Sequence, residues 1–186
     1  MTTKPSLSTT TTTTTTTVLE TAAAKITPEM DPKSVSETQS FFKVMSSGAP
    51  VPENCNTDGF FDSFLRHFIK VDQIQPGRIS CTLVAKPPLC NGYGTLHGGS
   101  VGALVEVLST ACARTVVAED KQLFLGEISI SYLSATPINE EVVANACVVK
   151  SGRNLTVVAL EFKLKKTGNL LYLTHATFFN MPVSNL

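Results

Sequence analysis

The residues best suited to chemistry lie in one stretch, Asn91-Gly-Tyr-Gly-Thr-Leu-His97-Gly98-Gly99-Ser-Val-Gly-Ala-Leu-Val-Glu106. Gly98 and Gly99 stand where loop composition gives way to a helical pattern. Backbone N–H groups in the first turn of a helix lack intrahelical partners and sit at the positive end of its dipole, so they suit an oxygen that gains negative charge. Glycine also lets a carbonyl approach without a Cβ in the way. A glycine pair equally serves a plain sharp turn, and the glycines alone do not separate the two readings. Glu106 lies about two turns further, with small residues Gly102, Ala103, Ser109 and Thr110 three or four positions away. That leaves room for a ligand or water beside a carboxylate. A solvated glutamate or an ion pair with Arg114 are the alternatives. His97 can orient the turn by hydrogen bonding or contact a substrate. Asn91 can hold a carbonyl or a water through its amide, or simply shape an Asn-Gly turn.

Other chemistries find less support. The five cysteines form no Cys-x-x-Cys pair, and the three histidines His67, His97 and His175 are far apart, so no metal-ligand spacing is present. No Ser-His-Asp triad is visible, and Cys90 has no histidine at a recognisable spacing. Fifteen Lys and Arg balance fifteen Asp and Glu, which removes the basic field that non-specific binding to nucleic acid requires. Ser100 to Ala118 has the length of a membrane span but contains Glu106 and Arg114, so it reads as a helix in a water-soluble domain. An odd cysteine count and no opening apolar signal segment favour a reducing compartment.

These residues need elements to hold them. Residues 1–33 include the run Thr9 to Thr17 with few large apolar side chains and read as a disordered tail. Residues 34–54 read as a short helix, Ser34 to Met45, followed by a linker. The compact domain is expected over 55–182, with 183–186 as a tail. Within it, Thr57 or Asp58 is expected to cap a helix carrying Phe60, Phe61, Phe64 and Leu65. Strands follow over Phe68–Ile74 and Arg78–Ala85 around a Pro76-Gly77 turn. One long helix, Gly98 to Val117, repeats apolar residues at three- and four-residue spacing. Four β-branched runs then follow, Leu123–Leu133, Glu141–Val149, Leu155–Lys165 and Leu170–Asn180, read as an antiparallel meander. The plan is α+β, with a single helix to cover one sheet face.

Asn91, Gly94-Thr95-Leu96-His97-Gly98-Gly99, Leu104-Val105-Glu106 and Glu127-Ile128-Ser129-Ile130-Ser131-Tyr132-Leu133 resemble the hot-dog-fold thioesterase superfamily, in particular the acyl-CoA thioesterase 13 and PaaI-like group. The resemblance spans about Thr57 to Pro182. It implies a hot-dog fold, one long central helix wrapped by an antiparallel sheet of five to six strands. It also implies a homodimer joined edge to edge with active sites at its interface, and possibly a dimer of dimers. The activity implied is hydrolysis of an acyl or aryl thioester of coenzyme A, without metal or redox cofactor. The Gly98 N–H would polarise the carbonyl, and Glu106 would act as general base or nucleophile. Asn91 and His97 would position carbonyl and water, with Thr110 at a hydroxyl position used in some members. Gly99, Tyr132, Lys150, Gly152 and Arg153 would contact coenzyme A.

Two positions depart from the acyl-CoA thioesterase 13 pattern. Glu106 stands where that branch usually has Asp, and a water-holding serine is replaced near Leu125 or Gly126. For the coenzyme phosphates, Lys150, Arg153, Lys163, Lys165 and Lys166 face only Glu161 from Val142 onward, although lysines also protect exposed sheet edges. The rival readings are a non-catalytic acyl-CoA-binding module and a hot-dog dehydratase. For location, cytoplasm and peroxisome are the expectations, the latter from the weak Ser184-Asn185-Leu186 signal. Transit to another organelle ranks behind, because Lys4 and Lys25 are the only basic residues before Lys33.

Overall fold

The computed structural model describes residues 26–45, 52–55 and 57–182. The Thr-rich run, most of the expected linker and the Ser184-Asn185-Leu186 signal lie outside the described residues. The chain divides into two units, 1–58 and 59–186.

In the first unit, α1 (Pro32–Met45) begins two residues before the expected start at Ser34. Asp31 Oδ2 accepts from the Ser34 backbone N–H at 3.0 Å, and Pro32 takes the first helical position, where the missing N–H costs nothing. A single helical turn, Glu53–Cys55, follows.

The second unit opens with α2 (Phe60–Arg66), which Leu65 anchors in the core. Its cap is neither Thr57 nor Asp58. Gly59 takes that position at φ 70°, a left-handed conformation that glycine adopts without strain, and no side chain caps the helix. Strands β1 (Ile69–Gln75), β2 (Arg78–Val84), β3 (Lys121–Tyr132), β4 (Glu141–Ser151), β5 (Leu155–Leu164) and β6 (Leu170–Pro182) form one antiparallel sheet around α3 (Gly98–Arg114). Val101, Leu104, Val105, Leu108 and Cys112 of α3 pack into a core with Val142, Val158, Leu160, Phe162 and Phe178. Strict alternation along β5, with Thr156, Val158, Leu160 and Phe162 inward, follows from the two-residue period of a strand.

The strand order is β1-β2-β4-β5-β6-β3, which corrects the simple meander. β1–β2 is a hairpin around Pro76-Gly77, but among the last four strands only β4–β5 and β5–β6 are joined by hairpins. Residues 133–140 instead carry the chain from the far edge back across the sheet end, where Leu96 N donates to Thr136 O at 2.8 Å and Ile138 N to Gly94 O at 2.9 Å. That crossing anchors the loop before α3, and it leaves β3 as an edge strand beside β6. A bulge at Gly126 bends β3; any Cβ there would sit 2.4 Å from the Phe179 ring.

Candidate active site

The loop before α3 is built by Asn91. Its Oδ1 accepts from the backbone N–H groups of Tyr93 (3.0 Å) and Thr95 (3.2 Å) and lies 3.2 Å from the Thr95 hydroxyl, so the turn-shaping role is the one observed. Gly94 at φ 73° completes the reversal, and His97 N donates to Leu89 O at 2.8 Å.

His97 is the cap of α3, and its Nδ1 accepts from the Gly99 N–H at 2.9 Å. An accepting Nδ1 bears no proton, so the neutral ring carries its hydrogen on Nε2, where it can donate. The Gly99 amide is thereby committed to His97, whereas the Gly98 N–H has no partner among the described residues. Sequence reasoning assigned Tyr132 to coenzyme binding and missed its local bond. The Tyr132 hydroxyl donates to Gly98 O at 2.9 Å and so holds the peptide that links the two glycines. Its ring stands edge-on to Tyr172, whose hydroxyl lies 2.7 Å from that of Thr136; burial pushes the Tyr172 phenol above its ordinary value. No local signal marks the Tyr132 bond, because its partners are 34 positions apart.

Glu106 is exposed on α3, and its carboxylate makes no ion pair or hydrogen bond among the described residues. The alternative ion pair with Arg114 is absent: Arg114 Nη1 donates to Lys121 O at 2.6 Å. Gly102, Ala103 and Thr110 flank the carboxylate on the outer side, while Ser109 is buried and its hydroxyl bonds the Glu106 main-chain oxygen. Eight residues of helix put Gly98 and Glu106 about 12 Å apart along the axis. A mainly apolar groove of about 390 Å³ lies along Val107, Leu108 and Ala111 of α3, facing Ile69, Ile79 and Cys81, with Asp62 and Arg66 also in its lining.

Lys150, Gly152 and Arg153 are exposed in the β4–β5 hairpin. The remaining basic residues of this region are matched by acids that lie outside the window counted from Val142, except for Glu161. Lys163 pairs with Glu161, Lys165 with Glu141 and Lys166 with Glu140, whereas neither Lys150 nor Arg153 has an ion pair among the described residues. The hairpin is not beside the helix entrance. Tyr132 pairs with Tyr172 at one end of β6, and Leu155 pairs with Phe179 near the other, a separation of seven residues or about 23 Å. One chain therefore groups Asn91, His97, Gly98, Gly99 and Tyr132 at the entrance and keeps Glu106, Thr110 and the hairpin cations away from it.

A family model described as the thioesterase superfamily matches residues 93–170. A Caenorhabditis elegans protein named as an esterase is 31% identical over 98 residues, 53% of this chain and 57% of the relative. Mouse acyl-coenzyme A thioesterase 13 is 29% identical over 136 residues, 73% of this chain and 91% of that protein. The solved zebrafish thioesterase superfamily member 2 superimposes with a TM-score of 0.62 at 25% identity, covering 68% of this chain and 89% of that one. With one long helix packed against a six-stranded antiparallel sheet and a match that begins just before the α3 entrance, the chain has the hot-dog fold and is similar to the thioesterase superfamily.

Proposed function

We propose that the protein hydrolyses acyl thioesters of coenzyme A as a two-fold dimer, each active site joining the helix entrance of one protomer to Glu106 of the partner subunit. The observation that carries this reading is the Gly98 N–H at the start of α3, without a partner among the described residues; the adjacent His97 ring, held through Nδ1, would supply Nε2–H as a second donor. Within one chain the carboxylate is too far from that amide to act on the same carbon. A second copy related by a two-fold axis supplies it, and also brings a hairpin with Lys150 and Arg153 toward the entrance. The outer edge of β3 supports such pairing. It is a long strand, 12 residues, with Phe124 and Tyr132 exposed, and the described sheet leaves its outer side unpaired.

In this site water attacks the thioester carbon and Glu106 takes its proton; the oxyanion is held by Gly98 N–H and His97 Nε2–H. The carbon–sulfur bond then breaks and the coenzyme A sulfur leaves with the proton from Glu106, giving free acid and thiol. If Glu106 is instead the nucleophile, a single turnover in oxygen-labelled water places label in its carboxylate. The groove beside Val107 and Ala111 suits an alkyl chain. Longer acyl groups should gain up to about fourfold in kcat/KM per methylene until the groove is full.

The decisive experiment measures thiol release by co-expressed variants. Gly98→Pro removes the donor at a first helical position, and His97 at φ −67°, ψ 134° already has the backbone that a residue before proline favours. Gly98→Pro and Glu106→Gln should each abolish most activity alone. Mixed, they should recover about a quarter of wild-type activity, since half of randomly assorted dimers are hybrids with one intact site. No recovery rejects the shared site, unchanged turnover in Glu106→Gln removes Glu106 from the mechanism, and no thiol release by the wild type rejects hydrolysis in favour of a binding module.

A further inference from the structure

We infer that Asn180 is a positioning residue for coenzyme A, holding the β4–β5 turn that presents Lys150 and Arg153. The inference rests on the coenzyme reading of that hairpin. Asn180 lies near the end of β6, 8% exposed, and every polar group of its side chain is engaged. Its Nδ2 donates to Gly152 O at 2.8 Å, its Oδ1 accepts from the Thr156 hydroxyl at 3.1 Å, and its backbone N–H donates to Asn154 O at 3.0 Å. The Thr156 hydroxyl lies 3.3 Å from that of Ser151, so the network touches both ends of the turn as well as its middle. Gly152 N closes the turn by donating to Leu155 O at 2.9 Å.

A buried carboxamide is costly unless satisfied, and a satisfied one rigidifies what it bonds. Here it bonds the main chain of a solvent-exposed turn whose two cations, Lys150 and Arg153, lack ion-pair partners among the described residues. The pairing skips a residue between Val148 and Lys150, a bulge that seats Ser151 opposite buried Thr156 and Lys150 opposite half-exposed Val157. Without that extra residue Lys150 would fall opposite Thr156, on the buried side. Bulge and carboxamide together aim two cations outward from a fixed loop, an arrangement suited to the phosphates of the coenzyme's nucleotide.

The test compares an acyl-CoA with the same acyl group on N-acetylcysteamine, which lacks the phosphates. Asn180→Ala should raise the ratio of KM for acyl-CoA to KM for the short thioester by about tenfold. It should also flatten the dependence of the acyl-CoA KM on ionic strength, which a purely structural role would not do. If Asn180→Ala does not fold, Asn180→Leu, which fills the same volume, is read in the same way. An equal change on both thioesters, or none on either, overturns the role of Asn180. The double variant Lys150→Ala/Arg153→Ala separates the premises: if it leaves the acyl-CoA KM unmoved, the coenzyme reading of the hairpin fails. If it raises that KM while Asn180→Ala does not, only this inference fails.

Discussion

The two sides of α3 obey different rules. Toward the sheet, Leu104, Val105 and Cys112 are fully buried, and each contact excludes water. Toward solvent, Gly102, Ala103, Glu106 and Thr110 leave a small-residue surface with one unpaired carboxylate. A helix needs its inward stripe for stability. Its outward stripe is free to carry chemistry, and a lone charged group among small neighbours is what a docking partner or a substrate can reach. Stability and activity should therefore separate cleanly by helix face.

Substitutions can break that separation. Glu106→Gln should lower kcat by about 10²- to 10⁴-fold while leaving the melting temperature in place. Loss of both would place Glu106 among the structural residues. Leu104→Ala, on the opposite side, should cost about 2–5 kcal/mol in denaturant unfolding through a cavity that cannot fully collapse, with activity per folded molecule retained.

Alkaline pH reaches the inward side through its thiols. Burial pushes the thiols of Cys112 on α3 and Cys81 on β2 from 9.0 up to about 11. A thiol raised on folding supports the folded state fully below pH 9 and loses that support as pH climbs to 11, at about 1.4 kcal/mol per unit in that interval. Melting temperatures should fall across this window, and Cys112→Ala should shallow the fall; a flat profile would mean that these thiols ionise as freely when folded. The smallest effect belongs to Tyr132→Phe. Removing the bond to Gly98 O should lower kcat about three- to tenfold, with KM for the short thioester little changed. An effect on KM alone would return Tyr132 to the coenzyme contact expected from its family position.

Several of these features could be read from residue order because their causes are local. The inward stripe of α3 repeats at helical spacing, and the His97-Gly98-Gly99 boundary joins a capping side chain to an amide two positions away. The hairpins at 151–154 and 165–169 follow from turn residues between alternating runs. Thr57 and Asp58 are the better side-chain acceptors and so look like the cap, yet the chain enters α2 through Gly59, a left-handed residue that needs none. The pairing of β3 with β6 is not legible locally, because alternation shows which side of a strand is buried but not which strand lies next to it.

From residue order alone came the α+β plan, the start of the central helix, the glycine amides at its entrance and the carboxylate two turns beyond, since helix period and capping act within a few positions; the helix ends at Arg114, three residues before the expected Val117. Only tertiary packing decided that Arg114 turns away from Glu106, that Lys163, Lys165 and Lys166 are already paired, and that the hairpin cations sit at the opposite end of the sheet from Gly98. Those outcomes depend on strand order and register, which bring together groups tens of residues apart, and no local preference encodes them.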